Sequence, residues 1–140
     1  MGDEDFRLIR EFIVQLLSDI GNHGEDRVRV ALLTYSSRVT IQFNLDDFRT
    51  LDDTTAAIRA ISRQTGSTNT ADALLRMRTA VFSEMHGDRP GVPNVAIVMT
   101  DGVSNLNAER TVTEALRCKA AGILIFSLGM LNVLFFFIAL

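Results

Sequence analysis

The sequence predicts an α/β fold, in which a mostly parallel sheet carries helices on both faces. Strand patterns and helix patterns alternate along the chain, as they do in sheets built from strand–helix–strand units. In addition, the apolar strand Val95–Met99 runs directly into Thr100 and Asp101. Polar residues that follow strands at their carboxyl ends mark the edge where such sheets bind ligands. The 140 residues, 47% of them hydrophobic, suffice for one hydrophobic core.

The first half of the chain predicts a helix and a hairpin. Apolar residues recur every three or four positions from Asp5 to Ile20, which indicates an amphipathic helix. Residues 27–35 read as an apolar strand, and alternation from Val39 to Phe43 predicts a second strand. Because the Ser36–Ser37 link between them is short, we predict an antiparallel hairpin at one edge of the sheet.

The second half alternates helices with strands. Helical spacing predicts a short helix at residues 51–61 and a longer one at residues 71–81. A Gly- and Pro-containing loop at residues 87–93 precedes the strand Val95–Met99. A helix at residues 108–120 ends before Gly122, and Ile123–Leu128 is a further strand. The order predicts a Rossmann-like, doubly wound sheet with an antiparallel edge hairpin.

Composition and missing motifs exclude some functions. The net charge is −3, with both signs interspersed, so we expect no nucleic-acid partner. The single Cys118 cannot form an intrachain disulfide, and we expect it to pack on a helix. The 140 residues contain no dinucleotide-binding glycine pattern, phosphate loop or serine nucleophile elbow, so we do not expect an enzyme. A nucleotide-binding or hydrolytic α/β enzyme remains an alternative, because this architecture hosts many chemistries.

Two short motifs carry the chemistry. Asp101 offers a hard oxygen ligand of the kind that Mg²⁺ prefers, although Asp-Gly is also a common turn dipeptide. The loop Gly66–Thr70 places hydroxyl and amide side chains before a helix. We interpret Thr70 as the cap of a helix that starts at Ala71, and Asn69 as a residue that fixes the loop by local hydrogen bonds.

Together, Thr68-Asn69-Thr70 before an Ala-Leu helix and an apolar strand ending in Thr100-Asp101-Gly102 resemble the von Willebrand factor type A (VWA) domain of matrilins and collagens. The resemblance covers Phe6–Met130. It implies that Thr68 and Asp101 contact Mg²⁺ or Mn²⁺ in a metal-ion-dependent adhesion site. It also implies that the surrounding loops bind a partner, through Ser67, Asn69, Thr70, Gly102 and Ser104. The implied function is adhesion to an extracellular-matrix or cell-surface protein, outside the cell.

The resembling family opens with a central strand carrying Asp-x-Ser-x-Ser, a motif that the 140 residues do not contain. We therefore expect residues 1–130 to form an incomplete VWA-like domain, truncated at both ends, with an incomplete cation site. Without that strand, two inner sheet edges need partners. Either the sheet closes over the gap, or another segment such as the tail fills it, or the chain does not fold stably. A truncated product with no binding role is an alternative function.

The last ten residues, 131–140, form an apolar tail that departs from the family. The 21 residues from Ala120 to Leu140 carry no charge, which is long enough to span a bilayer as a helix. The expected strand Ile123–Leu128 and its flanking glycines instead favour a strand followed by an exposed tail. Membrane contact through the tail is the alternative. The first ten residues lack the basic start and apolar run of a signal peptide, so we expect none in this chain.

Overall fold

The structure, a computed structural model, describes residues 3–20, 28–100, 108–129 and 134–139. Four α-helices and five strands lie within these residues. In chain order they are α1 (Asp3–Ile20), β1 (Arg29–Tyr35), β2 (Val39–Phe43), α2 (Leu51–Arg59), α3 (Thr70–Arg76), β3 (Asn94–Thr100), α4 (Ala108–Ala120), β4 (Ile123–Gly129) and β5 (Leu134–Ala139). A turn of π-helix, Met77–Val81, continues α3. All the predicted helices and strands are present, and β5 is an additional strand.

The five strands form one sheet in the order β2-β1-β5-β3-β4. β1 and β2 pair antiparallel, which confirms the predicted edge hairpin. β3 and β4 are parallel, whereas β5 is antiparallel to both of its neighbours, β1 and β3. β1, β3 and β4 therefore point the same way, and β5 is a reversed strand at the centre of the sheet. The predicted α/β fold is confirmed, but three of the four described strand pairings are antiparallel rather than mostly parallel, because β5 is reversed.

β5 fills the space between β1 and β3. Its first residue, Leu134, pairs with Thr34 of β1 on one side and with Met99 of β3 on the other. The register continues along all six residues of β5, so β1 and β3 are paired along this stretch. Since unpaired backbone groups inside a sheet are costly, a central β5 stabilises the whole sheet. Of the outcomes that the sequence leaves open, the structure shows the one in which the tail fills the gap, and the favoured exposed tail is wrong for residues 134–139.

Helices cover both faces of the sheet, as predicted. α3 and α4 cover one face, where Ala31, Leu33 and Tyr35 of β1 join their core cluster. α1 and α2 cover the other face, where Val30 and Leu32 of β1 join a second cluster. The alternation places successive β1 side chains on opposite faces, and the last six residues of β1 are all buried. β1 therefore anchors both halves of the core.

β4 is covered on one face only. Ile123 and Ile125 belong to the cluster under α3 and α4. On the opposite face, Leu124, Phe126 and Leu128 expose 55%, 53% and 37% of their surfaces. β4 also ends the strand order, with β3 as its one neighbour among the described strands.

Residues 120–140 do not form the single long helix of the membrane alternative, because β4 and β5 lie within them. Among the described residues, we find no helix with the length and apolar character that a bilayer span requires.

Candidate functional site

The carboxyl ends of β1 and β3 lie at one edge of the sheet. Thr34 and Met99, next to those ends, both pair with Leu134 at the start of β5. Neighbouring strands are about 4.8 Å apart, so the ends of β1 and β3 are separated by roughly 10 Å. We call this edge, together with the loop of residues 66–69, the rim. Asp101 follows β3 directly and lies outside the described residues.

The rim loop is fixed to the hairpin turn that follows β1. The backbone N–H of Ser67 donates to Ser37 Oγ at 3.0 Å. The backbone N–H of Asn69 donates to the carbonyl oxygen of Ser36, also at 3.0 Å. Thr68 lies between these two attachments and is only 6% exposed. The loop is therefore held in one conformation by the chain that leaves β1.

Gly66 allows the loop to approach the turn this closely. Its φ of +131° lies in a region that side-chain-bearing residues rarely adopt. A Cβ atom at this position would lie 2.7 Å from Ser37 Oγ, the atom that accepts the hydrogen bond from Ser67. A side chain here would therefore be strained at this φ and would displace the Ser37 hydroxyl from its hydrogen bond with Ser67.

Asn69 caps α3. Its Oδ1 accepts from the backbone N–H of Asp72 at 3.2 Å, and its Nδ2 donates to Asp72 Oδ2 at 2.7 Å. α3 begins at Thr70, so the prediction of a Thr70 cap before a helix starting at Ala71 is wrong by one residue. The amide satisfies the helix N-terminus because its oxygen reaches the third residue onward. The predicted local hydrogen bonds of Asn69 are confirmed.

Asp72 connects α3 to α4. Its Oδ1 lies 3.5 Å from Arg110 Nη1, and both side chains are partly exposed. Arg110 is in the first turn of α4, which begins at Ala108 directly after the stretch that contains Asp101. The ion pair thus links the helix of the rim loop to the helix that follows β3.

α4 is also anchored by a buried carboxylate. Glu114 is 1% exposed and accepts from Arg78 at 3.2 Å and from Arg117 at 2.7 Å. Burial alone raises the pKa of Glu114, but the two guanidinium hydrogen bonds outweigh it, and the pKa lies below its ordinary value. Cys118, one turn further along α4, is buried as predicted, and burial raises the pKa of its thiol to about 11. The protonated thiol donates a weak hydrogen bond to the carbonyl oxygen of Leu74 at 3.5 Å and otherwise packs in the core under α3 and α4.

The family can now be identified. The sequence profile of the von Willebrand factor type A domain matches residues 1–134. The chain belongs to this family. Among curated relatives, matrilin-1 of Gallus gallus is 34% identical over 129 residues, which cover 92% of this chain and 25% of the relative. Integrin alpha-2 of Mus musculus is 32% identical over 127 residues, which cover 90% of this chain and 11% of the relative. This VWA chain therefore spans a quarter or less of the length of these relatives.

Solved structures agree with the VWA assignment. Proximal thread matrix protein 1 from the mussel byssus matches with a TM-score of 0.83 and 25% identity, over 90% of this chain and 33% of that one. A second structure of that protein, with a zinc-occupied MIDAS motif, matches with a TM-score of 0.81 and 27% identity, over the same shares of both chains. The fold and the family of the chain are thus established independently of each other.

The sequence-predicted site residues of this VWA domain fall into two groups. Ser67, Thr68, Asn69 and Thr70 lie together at the rim, where Thr68 and Asn69 are buried and the other two are half-buried. Asp101, Gly102 and Ser104 lie outside the described residues. The juxtaposition of Thr68 with Asp101 stays a prediction.

The described residues do not by themselves make a strong cation site. The rim contributes the hydroxyl of Thr68, whereas the nearby carboxylate of Asp72 is engaged by Asn69 and Arg110. In the part of the chain that the structure describes, no three His, Cys, Asp or Glu side chains are grouped to hold a metal ion. β5, which starts at the rim, contains no acidic residue. Since hard cations need several oxygen ligands, a cation here would depend on Asp101.

Sequence reasoning missed the residues that hold the rim loop in place. Ser36 and Ser37 were assigned only to the hairpin link, and Gly66 only to the start of the motif. Asp72 and Arg110 received no role. Two local features mark these residues: the Ser36-Ser37 link of the hairpin, and the glycine directly before Ser67-Thr68-Asn69-Thr70. Neither feature indicates that the two segments are in contact.

Proposed function

We propose that this chain is a protein-interaction module that binds an extracellular-matrix or cell-surface protein at its rim. One observation carries the proposal: two backbone hydrogen bonds and a close-approach glycine hold the rim loop at the carboxyl edge of the sheet. Rigidly held loops at this edge are where α/β folds bind their ligands. Relatives named as matrilins, an integrin subunit and a byssus matrix protein support an adhesive role outside the cell.

The proposed contact surface includes the described loop of the rim. Ser67 and Thr70 are partly exposed on the described loop, next to the buried Thr68 and Asn69. We include Gly102 and Ser104 in the proposed surface because they follow β3 closely in the sequence. The role is binding rather than catalysis, and the rigidity of the loop limits the entropy lost on binding.

A divalent cation, Mg²⁺ or Mn²⁺, contributes to this surface through Thr68 and Asp101. With one protein carboxylate, such a site holds the cation weakly and is completed by a carboxylate of the partner. The solved structure of a similar protein with a zinc-occupied MIDAS motif supports a divalent cation in this family. The cation thus acts as a bridge whose strength depends on the partner.

The test measures binding of the 140-residue chain to immobilised fibrillar collagen and to purified matrix proteins by biolayer interferometry. Each measurement is made in Mg²⁺, in Mn²⁺ and in EDTA. Asp101→Ala is expected to weaken the cation-dependent binding at least ten-fold, or about 1.4 kcal/mol. Thr68→Val removes the hydroxyl at similar volume and is expected to weaken it less.

Asp19→Ala is the matched control. Asp3, at the start of α1, lies 3.4 Å from Arg63 in the segment that leads to the rim loop. Asp19 is exposed near the other end of α1, about 24 Å along the helix from Asp3, so it lies away from the rim. Binding that is equal in EDTA, or that Asp101→Ala and Asp19→Ala weaken alike, would contradict the proposed cation-bridged rim.

A further inference from the structure

Within the part of the chain that the structure describes, β4 has a strand partner on one side only, and β4 and α4 present an apolar surface at that open edge of the sheet. Leu124, Phe126 and Leu128 are exposed on one face of β4, and Val112 and Leu116 expose 67% and 61% of their surfaces on α4. A groove of about 520 Å³ runs between the two elements. Natural sheets protect open edges with charges, prolines or bulges. β4, with the sequence ILIFSLG, contains no charge and no proline, and its register with β3 is regular.

The exposed strand is complementary to itself. In an antiparallel pair of two β4 strands centred on Phe126, Leu124 of each copy faces Leu128 of the other. The same three apolar side chains thus meet across the pair on one face of the extended sheet. Such pairing would also satisfy the backbone groups along the outer edge of β4.

The exposed face of α4 is also complementary to itself, because opposite charges lie at its two ends. Glu109, Val112, Leu116 and Lys119 are spaced by three, four and three residues, so they share one face of the helix. All four are exposed. In an antiparallel pair of α4 helices centred at the height of Glu114, Val112 faces Leu116 of the second copy. Glu109 then faces Lys119 of the second copy, which places opposite charges at both ends of the contact.

Phe126, the centre of the strand pair, and Glu114, the centre of the helix pair, lie at about the same distance from the turn that joins α4 to β4. One two-fold axis can therefore relate both pairs. Glu114 is six residues before Ala120, about 9 Å along the helix. Phe126 is three residues after Ile123, about 10 Å along the strand. The turn Ala121–Gly122 joins these two ends. A two-fold axis beside Phe126 therefore pairs strand with strand and helix with helix simultaneously.

We propose that the β4–α4 edge is an interface between two copies of this chain, which pair β4 strands antiparallel across a two-fold axis. The pairing joins two five-stranded sheets into one of ten strands. Because a two-fold interface uses the same patch on both copies, the assembly closes at a dimer. The rim lies at the strand ends, outside the paired edge, so the dimer would present two rims.

The test is sedimentation velocity of the full 140-residue chain over a concentration series. The wild type is expected to show a concentration-dependent monomer–dimer equilibrium. Phe126→Lys places two like charges against each other at the axis and is expected to weaken dimerisation at least ten-fold. Leu8→Lys is the matched control, because Leu8 is 53% exposed on α1 and lies outside the proposed interface.

Charge reversal tests the register without touching the strand. Glu109→Lys and Lys119→Glu are each expected to weaken the dimer several-fold, and the double variant Glu109→Lys/Lys119→Glu is expected to restore it. Circular dichroism checks that every variant retains the fold. A wild type that stays monomeric at all soluble concentrations, assemblies larger than dimers, a dimer that survives Phe126→Lys, or a double variant as weak as the single ones would each overturn the proposal.

Discussion

β1 and β4 are both seven-residue strands of largely apolar sequence, yet their surroundings differ. β1 lies between two strands, with helices over both of its faces, and its last six residues are buried. β4 lies at the end of the sheet with a helix over one face, and it exposes three large apolar side chains. Neighbours in the sheet, rather than hydrophobicity, decide which strand is buried. Within the described part of the chain, the apolar surface of β4 is therefore exposed, and we propose above that a second copy covers it.

The largest expected effect tests this difference in burial directly. Leu32→Ala in β1 removes a fully buried side chain from the core under α1 and α2, and it is expected to cost about 3 kcal/mol of unfolding free energy. Leu124→Ala in β4, where 55% of the side chain is exposed, is expected to cost under about 1 kcal/mol in the monomer. Urea denaturation at low protein concentration measures both, and equal losses would contradict the comparison.

A second prediction concerns the anchor of α4, a helix that packs on β4. Glu114→Gln removes the charge that Arg78 and Arg117 both contact, and it is expected to cost about 2 kcal/mol near neutral pH. The cost is below that of a fully buried pair because the Arg117 side chain is 60% exposed.

The pH dependence of this loss has a defined sign. The pKa of Glu114 in the folded protein lies below its ordinary value of 4.5. The ionised carboxylate therefore contributes stability above about pH 4.5, and that contribution is lost as the pH falls through the lower, folded pKa. Denaturation of wild type and variant from neutral to acidic pH should show their difference shrinking below pH 4.5. A difference that stays constant there would contradict the role of the ionised group.

The smallest expected effect concerns the loop next to the end of β1. Asn69→Ala removes the cap of α3 and is expected to cost about 1 kcal/mol. Thr70→Ala, one residue later, is the matched control and is expected to change stability by less than about 0.5 kcal/mol. Thermal unfolding measures the loss of stability in both variants. A larger loss for Thr70→Ala than for Asn69→Ala would indicate that Thr70 caps α3.

Much of this architecture could be predicted because its signals are local. The spacing of Phe6, Ile9, Ile13 and Leu17 predicts α1, and these four residues are the buried ones in that helix. The alternation from Val39 to Phe43 and the short Ser36–Ser37 link predict the hairpin. The cap of α3 was misplaced because Asn69 and Thr70 are adjacent, and both residue types cap helices.

The rest depends on contacts between distant segments. β5 is uniformly apolar, so no alternation of polar and apolar residues specifies its face, register or direction. The family resemblance predicts a gap in the sheet that the tail could fill, but the sequence of the tail does not decide between filling that gap and remaining exposed. Likewise, the contact of Gly66 and Ser67 with Ser37 joins positions about thirty residues apart. The spacing of residue types along the sequence does not predict this contact.

Residues 134–139 form the middle strand of the described sheet, and β4 is its outermost strand beside β3. Amide hydrogen exchange with mass spectrometry checks this arrangement, at a concentration low enough to keep the chain monomeric. Strands paired on both sides open less often than edge strands. We expect the peptide that spans residues 134–139 to exchange as slowly as β1 and more slowly than β4. Exchange of residues 134–139 at the rate of an unfolded peptide, while β1 and β3 stay protected, would contradict the account.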